Sequence, residues 1–507
     1  MKNTARKPRQ SGARSATAAQ PGVETAQRSE VEQAAALAEA VDGLRVRHPD
    51  LSASRVLTQA QGLMLLGIAL ACVLGFVVAP VTTGVLLSGC VAAVYVLVFV
   101  SNVAVFRRLI HAPHIVEVTD EEARAIPDNE LPVYTVMIAA YHEPEVIATT
   151  LRSLAALDYP AHLLDIKLLL EADDEATRAA VRAALPAPNV DVVLVPPSHP
   201  RTKPKALNFG LLRARGELVT IYDAEDRPEP LQLRRAVVAF SRAAPRVACL
   251  QAKLEYHNPH QNLLTSWFAI EYLSWFGFAL PAIAGGDTPV PLGGTSMHMR
   301  RAVLEEIGGW DPFNVTEDCD LGVRLYRMGY RTEFLNSTTY EEANSDAINW
   351  IKQRSRWYKG YAQTWLVHMR HPRRLWHELG GRGFCGFNML VGATTLTALL
   401  NPLFWVLTLT WFFAHPPFIQ SIFPTWVYFP GLASMIAGNF LACYVDLIVI
   451  RAAGRPGLIR AALLAPVYWL LISVGALRAF LQLLISPFFW EKTAHGLDRS
   501  QAAEAEA

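Results

Sequence analysis

Two parts of the chain, one near the N-terminus and one over 383–485, contain almost no charged residues. The first part holds two uncharged runs, Gly62–Ala79 and Gly84–Phe106, each close to the ~20 apolar residues that cross the ~30 Å core of a bilayer. Only Pro80–Thr83 separates the two runs, which leaves room for a tight turn and nothing longer. The pattern predicts a transmembrane hairpin within 51–108, and the alternative is a buried helical hairpin of a globular protein.

The second apolar region covers 383–489. Within it, Phe384–Phe413 and Thr425–Ile450 are each long enough to span a bilayer, and a His-Pro-Pro loop joins them. The last stretch, Ala461–Phe489, is interrupted by Pro466 and by an arginine. It fits either a further span or a pair of helices lying at the membrane interface.

Arginine residues flank these apolar stretches. Arg55 precedes the hairpin, Arg107 and Arg108 follow it, and further arginines between Arg370 and Arg382 precede the second apolar region. The loops on the cytoplasmic side of a membrane protein carry an excess of Lys and Arg. The distribution therefore predicts that both ends of the hairpin, and the segment that follows it, are cytoplasmic.

Short β-rich runs alternate with helical patterns between the two apolar regions. Strands are predicted at Tyr134–Ala140, Ile166–Leu170, Asp191–Val195 and Leu218–Tyr222. Helices are predicted near 145–157, 175–185, 205–214 and 230–243, where apolar residues recur at a spacing of three to four. Alternation of this kind predicts a parallel α/β sheet with crossover helices.

Composition narrows the class of protein. Charged residues make up 18% of the 507 residues, against roughly 25% in soluble proteins, and 52% of the chain is apolar. These values exclude a disordered or collagen-like chain and a purely soluble enzyme. The 46 Lys and Arg nearly balance the 45 Asp and Glu, which excludes a nucleic-acid binder that relies on bulk positive charge. The six cysteines show no CxxC spacing, which argues against a disulfide scaffold or a structural zinc site.

Each predicted strand runs into a polar cluster. The clusters are Tyr141–Pro144, Glu171–Asp174, Lys203–Asn208 and Asp223–Asp226. In open α/β sheets, ligands bind at the carboxyl ends of the strands, so the four clusters together predict one pocket. Any one of them alone is also compatible with an ordinary turn or helix cap.

The acidic cluster after the fourth strand is suited to a metal ion. Asp223, Glu225 and Asp226 would repel one another unless a cation shares them, and oxygen ligands suit Mg²⁺ or Mn²⁺ with substrate phosphates. The alternative is an Asp-rich turn with solvated charges. Lys205, after the third strand, is a candidate point cation for phosphate.

Two later motifs carry further candidate chemistry. Thr316-Glu-Asp-Cys-Asp320 opens an amphipathic helix, in which Asp318 is either a general base or part of the helix cap. Gln353-Arg-Ser-Arg-Trp357 lies in a helical run over 347–365. An arginine there can clamp a pyrophosphate and the tryptophan can offer a platform to a sugar, although a basic-aromatic helix on the membrane surface has the same pattern.

The ordered motifs YHEP, DD, KALN, DAED, TED and QRSRW, placed between membrane segments, resemble the processive family 2 glycosyltransferases. That family includes the bacterial cellulose, curdlan and hyaluronan synthases. Asp223–Pro230 and Phe489–Gly496 further resemble a subgroup of curdlan-synthase-like enzymes and phage-receptor glycan synthases. The resemblance implies a cytosolic GT-A-like α/β domain (the nucleotide-diphospho-sugar transferase fold), with a mixed, mainly parallel sheet, inserted between α-helical transmembrane segments.

The resemblance also implies roles for individual residues. Asp318 would be the catalytic base, and Asp223 and Glu225 the metal pair, with Glu225 replacing the more usual aspartate and Asp226 beside it. Either Asp173 or Asp174 would be the first aspartate. The implied substrate-binding residues are Tyr141, Glu143, Asp173, Asp174, Lys205, Glu317, Gln353, Arg354, Arg356 and Trp357. The implied cofactor is Mg²⁺ or Mn²⁺.

The predicted domain organisation follows from these patterns. The segments are a disordered basic tail (1–50), the hairpin (51–108), the GT-A-like domain (109–347), interface helices with QRSRW (348–382), C-terminal transmembrane or interface helices (383–489) and a cytosolic tail (490–507). Trp405, Trp411, Trp426 and Trp469 are candidates to stack on a glycan, or else form an interfacial aromatic belt.

The expected function is inverting transfer of a sugar from a nucleotide-diphosphate sugar, with UDP-glucose favoured by resemblance, to a growing β-linked polysaccharide that is exported across a bacterial inner membrane. One alternative is a single addition to a lipid carrier or glycolipid, and another is a channel or scaffold without catalysis. The implied partners are the nucleotide sugar, a glycan or lipid acceptor, membrane lipids and regulatory or periplasmic export proteins, with no nucleic acid.

Overall fold

The computed structural model describes residues 21–111 and 115–492, with side chains from residue 30 onward. One mixed β-sheet carries helices on both faces. Along the chain the sheet segment lies between two groups of long apolar helices, and the helix Pro80–His111 of the first group packs against the helix Thr425–Ala452 of the second. The predicted architecture, an α/β domain inserted between apolar helical segments, is confirmed.

The described part of the chain contains one sheet of nine strands. The strands are β1 Ile115–Val116, β2 Tyr134–Ala140, β3 Leu164–Glu171, β4 Val190–Val195, β5 Leu218–Tyr222, β6 Arg227–Pro228, β7 Val247–Tyr256, β8 Met297–Arg300 and β9 Arg331–Glu341. Their order across the sheet is β1-β9-β7-β8-β5-β2-β3-β4, and β6 pairs with β9. Strands β2 to β5 are the four predicted ones and pair in parallel, whereas β8 runs antiparallel between β5 and β7. The sheet is therefore mixed but mainly parallel.

Apolar residues dominate the central strands, although β3 also contains the charged residues Asp165, Lys167 and Glu171. Every residue of β3 and β5 is buried, because helices cover both faces of a parallel sheet. The helices before and within the sheet domain are α1 Pro21–Arg47, α2 Gln59–Val78, α3 Pro80–His111, α4 Asp120–Ala125, α5 Ile147–Ala155, α6 Glu175–Ala184, α7 Lys203–Leu211, α8 Gln232–Arg242, α9 Leu263–Ser274, α10 Leu280–Ala284, α11 Arg301–Glu306 and α12 Glu317–Arg327. The four predicted crossover helices are α5 to α8.

Long helices follow the sheet. They are α13 Ala347–His368, α14 Pro372–Phe387, α15 Thr394–Ala414, α16 Pro417–Ile422, α17 Thr425–Ala452, α18 Ile459–Leu463 and α19 Ala465–Ile485. A π-helical turn at Asn388–Ala393 links α14 to α15. For Ala461–Phe489 the sequence allowed either a further span or a pair of helices at the membrane interface. In the structure this stretch forms the short helix α18 and the single 21-residue helix α19.

Six helical segments of the described chain are long and apolar enough to cross a membrane. They are Gln59–Val78, Pro80–Ile110, Leu263–Ala284, Pro372–Ala414, Thr425–Ala452 and Ala465–Ile485. The third of these was not predicted, and 61% of its apolar window is buried inside the protein. Its aromatic residues pack against α13, α17 and α19, so this segment belongs to the core between the sheet domain and the apolar helices.

The hairpin forms with a tighter connection than predicted. Helix α2 ends at Val78 and α3 begins at Pro80, so the turn predicted at Pro80–Thr83 is wrong and these residues form the first turn of α3. A proline suits this position because the first amide groups of a helix have no intrahelical partner. Within α2 no residue is buried, as a lipid-facing helix requires.

The prediction of a disordered tail over 1–50 is wrong from residue 21 onward, where α1 begins. Residues 1–20 lie outside the described part of the chain, as do 493–507 of the predicted C-terminal tail. Ala40, Val41 and Leu44 are buried, and α1 packs on α7. These apolar residues are few, but their helical spacing places them on one face.

Candidate active site

The carboxyl ends of β2, β3 and β5 open into a cavity of about 370 Å³. This is the position expected of a ligand site in an α/β sheet. The predicted residues that line it are Tyr141, Glu143, Asp223, Glu225, Glu317, Asp318, Gln353, Arg354, Arg356 and Trp357. Asp173, Asp174, Lys205 and Asp226 do not line the cavity.

Lys203, not Lys205, faces the acidic pair. Its Nζ donates to the Gly294 carbonyl oxygen at 2.8 Å and forms an ion pair with Asp223. Although burial lowers the pKa of Lys203, the carboxylates of Asp223 and Glu317 raise it above the ordinary value, so the side chain stays charged. The sequence contains both lysines, but it does not say which one faces the cavity, because residues two apart in a helix point in different directions.

Lys205 lies behind the cavity wall. It is fully buried, and its Nζ is 2.6 Å from Glu171 Oε1 at the end of β3. This pair connects α7 to the sheet. The predicted phosphate contact therefore does not suit Lys205, whose charge is already neutralised.

Asp226 is turned into the protein. Its Oδ2 accepts a hydrogen bond from the Asp223 amide at 2.8 Å and another from the Thr295 hydroxyl. Burial, with repulsion from Asp223 and Glu225, raises the pKa of Asp226 well above its ordinary value. Asp226 thus closes the loop after β5 from inside, and Asp223 and Glu225 are the carboxyl groups of this loop that line the cavity.

Asp173 and Asp174 are adjacent in the sequence but lie in different surroundings. Arg201 donates to Asp173 Oδ2 at 2.7 Å and to the Tyr141 hydroxyl at 2.8 Å, at the rim of the cavity. Asp174 is buried and caps α6, accepting hydrogen bonds from the amides of Thr177 at 3.2 Å and His142 at 2.6 Å. Asp173 thus belongs to the rim, and Asp174 to the supporting structure.

Two adjacent carboxyl groups begin α12 at the cavity. Burial, then repulsion from Asp318, raises the pKa of Glu317 to about 8. Burial also raises the pKa of Asp318 to about 6, although the Cys319 amide, which donates to it at 2.7 Å, and Arg356 act in the opposite direction. Both carboxyl groups are therefore harder to ionise than isolated ones, and they titrate as a coupled pair.

Helix α13 supplies the opposite wall. Gln353 Oε1 is buried without a hydrogen-bond partner among the described residues. The guanidinium of Arg356 makes one weak contact, to the Val315 carbonyl oxygen at 3.4 Å, and lies 4.6 Å from the centre of the Trp490 ring. The Trp357 ring is nearly parallel to Tyr272, with centres 6.3 Å apart. The wall thus offers unused polar groups beside a flat aromatic surface.

Arg354 lies at the cavity, and its side chain also makes contacts that were not predicted. Its side chain is 4% exposed and forms a two-pronged ion pair with Glu271, with Nη1 to Oε1 at 2.6 Å. It also donates to the Tyr468 hydroxyl at 2.8 Å. The guanidinium borders the cavity, but its strongest donors are engaged with α9 and α19, so Arg354 holds α13 in place.

The C-terminal segment after α19 covers the cavity, a placement not predicted from the sequence. Trp490 and Lys492 line it, and Lys492 Nζ is 2.6 Å from the His142 carbonyl oxygen and 3.4 Å from Glu143 Oε1. Only the unusual Phe489-Trp-Glu-Lys492 sequence marked this segment as distinctive.

The donor atoms that face the cavity suit a hard divalent cation. Asp223 and Glu225 offer oxygen alone, the ligand type that Mg²⁺ and Mn²⁺ prefer. Over 21–111 and 115–492, no three His, Cys, Asp or Glu side chains converge as ligands of one ion. The two carboxylates therefore fit a cation whose remaining ligands are water and substrate oxygen.

A mixed α/β sheet with acidic residues at its carboxyl edge and flanking apolar helices defines the GT-A-like class. Residues 132–360 match the family "Glycosyltransferase like family 2". This segment is therefore similar to family 2 glycosyltransferase domains, and the predicted fold and enzyme class are confirmed. The narrower processive, cellulose- or curdlan-type subgroup stays a prediction.

Several curated relatives each match about half of the chain. A probable glycosyltransferase, YdaM of Bacillus subtilis, is 28% identical over 46% of this chain and 56% of its own length. A β-monoglucosyldiacylglycerol synthase of Synechocystis is 28% identical over 52% of this chain and 55% of its own. Glucomannan 4-β-mannosyltransferase 2 of Arabidopsis thaliana is 28% identical over 48% of this chain and 46% of its own length. The chain spans about half the length of these curated relatives.

Among solved structures, the mannosyltransferase PcManGT of Pyrobaculum calidifontis, in complex with GDP-Man and Mn²⁺, matches with a TM-score of 0.47 and 19% identity. The match covers 78% of this chain and 99% of that one.

Proposed function

We propose that this protein is an inverting membrane glycosyltransferase that transfers a sugar from a nucleotide-diphosphate sugar to a growing β-linked glycan. The observation that carries the proposal is the convergence of Asp223, Lys203, Asp318 and Arg356 on one cavity. This set combines carboxylates for a cation, two positive side chains for a diphosphate and a buried carboxyl group for proton transfer.

The donor nucleotide occupies the β2 and β3 side of the cavity. Tyr141 offers an aromatic face there, and Arg201, Glu143 and Lys492 surround it with charges of both signs. A nucleoside diphosphate has the matching features, namely a flat base, a ribose with two hydroxyl groups and a charged end. We favour UDP-glucose as the donor because of the resemblance to glucan synthases.

Asp223 and Glu225 would hold Mg²⁺ or Mn²⁺, which when bound supplies positive charge to the diphosphate of the donor. Lys203 forms an ion pair with Asp223, the first of these two carboxylates. The lysine is therefore close enough to share the diphosphate charge with the cation.

Asp318 acts as the base. As the acceptor hydroxyl oxygen bonds to the anomeric carbon, its proton passes to the Asp318 carboxylate, and the bond between that carbon and the diphosphate oxygen breaks with both electrons leaving on the diphosphate. Arg356 and Lys203 stabilise the negative charge that develops on this leaving group. Attack from the face opposite the diphosphate converts an α-linked donor into a β-linked product.

The acceptor lies between Trp357 and the membrane. A second cavity, of about 670 Å³, is enclosed by α3, α15, α17 and Trp469, and the aromatic side chains of Tyr95, Trp405, Trp411 and Tyr428 line it. Helix α15 borders both cavities, with Thr394 at the first and Thr397 at the second. We propose that a growing glycan leaves along this helix, out of the cytoplasm and across a bacterial inner membrane. The similarity to a glucomannan mannosyltransferase supports a polymer product.

A lipid acceptor is the second candidate, favoured by the similarity to β-monoglucosyldiacylglycerol synthases. The same membrane cavity suits it, because most of the lining side chains are apolar.

Product analysis distinguishes the two. Inverted vesicles with the purified protein receive a panel of labelled nucleotide sugars, with and without Mg²⁺ or Mn²⁺, and Asp318→Asn is the matched control. Metal-dependent label in long chains that a β-glycosidase degrades supports the first candidate, and label that is confined to extracted lipid supports the second. If the wild type transfers no label beyond the D318N background, the proposal is wrong.

A further inference from the structure

Exposed basic and aromatic side chains cluster where two apolar segments begin. This basic patch consists of Arg55, Arg373, Trp376, His377 and Arg382, all of them exposed. Arg55 lies just before α2, and the other four lie on α14, which continues through the π-helical turn into α15. The patch therefore lies at the ends of two candidate spans.

Helix α14 turns these residues away from the protein. Leu375 and Leu379 are 0% and 4% exposed and pack with Cys319, Val323 and Tyr326 of α12. Arg373, Trp376 and His377 lie on the opposite face of the first part of α14. That part ends at Gly380, whose non-helical conformation (φ 67°, ψ 172°) breaks the helix before Arg382. Half of the Trp376 surface is exposed, and its ring lies 5.2 Å from Phe384, where the apolar part of the segment begins.

The two sides of the patch are joined directly. Arg370 donates to the carbonyl oxygens of Asp50 at 2.9 Å and of Arg55. Gln61, in the first turn of α2, donates to the Leu366 carbonyl oxygen at 2.8 Å at the end of α13. Arg55 and the first turn of α14 therefore belong to one surface.

The positive charges of this surface are not neutralised within the described chain. The side chains of Arg55, Arg373 and Arg382 form no hydrogen bond or ion pair with any described residue. The neighbouring acids are already engaged: Glu378 lies 2.6 Å from Arg327 Nε and 2.7 Å from Arg374 Nε, and Asp50 lies 3.7 Å from His371.

We propose that the basic patch binds the phosphate head groups of anionic membrane lipids, with the part of α14 before Gly380 lying along the membrane surface. Arginine side chains match phosphate in charge and geometry, and an exposed tryptophan is typical of the head-group level of a bilayer. A bilayer with anionic lipids attracts such clusters next to a span. A lipid is favoured over a protein partner because the patch borders two apolar segments.

A bound lipid would also support the site. Because Leu375 and Leu379 pack on α12, which begins with Glu317 and Asp318, the head groups would steady the helix that carries the proposed base. This consequence rests on the proposed function, whereas lipid binding itself does not.

The test measures lipid binding and needs no enzymatic activity. The full-length protein in detergent is titrated with phosphatidylglycerol, phosphatidylcholine or soluble glycerol phosphate, and bound lipid is counted by native mass spectrometry. We expect preference for phosphatidylglycerol, and a loss of about fivefold in affinity per arginine removed in Arg373→Gln/Arg382→Gln. The control Arg152→Gln/Arg182→Gln, on α5 and α6, should bind as the wild type does.

A charge-conserving variant, Arg373→Lys/Arg382→Lys, should restore most of the binding, which excludes misfolding as the cause of the loss. Equal binding of both lipids by the wild type, or unchanged phosphatidylglycerol binding in the glutamine pair, would overturn the proposal. Binding of glycerol phosphate as tight as that of the lipid would instead identify a free-phosphate site, which also contradicts it.

Discussion

The guanidinium of Arg354 forms a two-pronged ion pair with the carboxylate of Glu271, 83 residues earlier in the chain. Arg354 also lies over the rings of Phe268, Trp350 and Trp357, at 4.7, 5.0 and 4.5 Å from their centres. The pair joins α13, which carries the Gln353 to Trp357 motif, to the apolar segment that begins with α9. The Arg354–Glu271 pair therefore fixes the position of the cavity wall on α13 relative to the apolar segment that begins with α9.

Substitution of Glu271 should lower the free energy of unfolding more than substitution of Arg354. The arginine is 4% exposed and the glutamate 34% exposed, so Glu271→Gln leaves an uncompensated buried charge, whereas Arg354→Met leaves a carboxylate that water reaches. We expect Glu271→Gln to lower the free energy of unfolding by about 3 kcal/mol, and Arg354→Met by less. Thermal unfolding of both variants and of the double variant in detergent measures this. Equal losses would contradict the asymmetry.

The rate should depend on pH through Asp318. Because burial raises the pKa of this carboxyl to about 6 and only the charged form accepts a proton, kcat/KM should fall about tenfold per pH unit below that value and level off above it. Arg356 lowers the pKa of Asp318, so Arg356→Gln should move the acidic limb to higher pH. Profiles of the two proteins check the sign, and a limb that moves to lower pH would exclude Asp318 as the group that titrates.

Asp223 and Asp226 should respond in opposite ways to the same substitution. Asp226 is buried, does not line the cavity and has a pKa raised well above its ordinary value, so Asp226→Asn leaves the cavity wall unchanged and we expect activity within about threefold of the wild type. Asp223 faces the cavity, and Asp223→Asn removes a charged oxygen that the cation needs. The Mg²⁺ or Mn²⁺ concentration for half-maximal activity should rise in Asp223→Asn alone. The same rise in Asp226→Asn would assign the ligand to Asp226.

Substitutions of the two lysines of α7 should have different effects, mainly on KM at Lys203 and mainly on stability at Lys205. Lys203→Met removes a charge that faces the cavity and, in the proposed function, the diphosphate, so we expect KM for the nucleotide sugar to rise roughly 10- to 100-fold. Lys203 is 15% exposed and its partner Asp223 is 34% exposed, so the loss of stability should be smaller than at Lys205. Lys205→Met leaves Glu171 buried without its partner and should lower the free energy of unfolding by about 3 to 5 kcal/mol. Glu171→Gln/Lys205→Met should recover part of that loss. If Lys205→Met instead changes KM at wild-type stability, our placement of the two side chains is wrong.

Local sequence patterns were sufficient to predict the central strands and the location of the cavity at their carboxyl ends. Tyr134–Ala140 and Leu218–Tyr222 were predicted with their observed ends, because continuous apolar runs bounded by polar clusters have few other solutions. The position of Asp318 at the start of α12 also followed from helix periodicity. Which neighbour of a motif faces the cavity did not follow, as Lys203 and Lys205 demonstrate.

Residues whose role depends on distant partners could not be assigned from local sequence. Arg354 and Asp226 stand inside motifs that suggest substrate or metal binding, yet Glu271 and Tyr468 engage the first, and Thr295 and burial neutralise the second. Helix α1 was missed for a related reason, since its three buried apolar residues acquire a partner only when α7 is folded beside them.

By itself the sequence determined the order of apolar and sheet segments, the carboxyl-edge location of the site and its acidic and basic composition, because hydrophobic periodicity and strand ends are local properties. The tertiary structure decided in which direction the pKa of each carboxyl group shifts, which lysine faces the cavity, and that the segment after α19 lines it. Charge state and orientation depend on burial and on partners far apart in the chain, and only the packed fold brings those partners together.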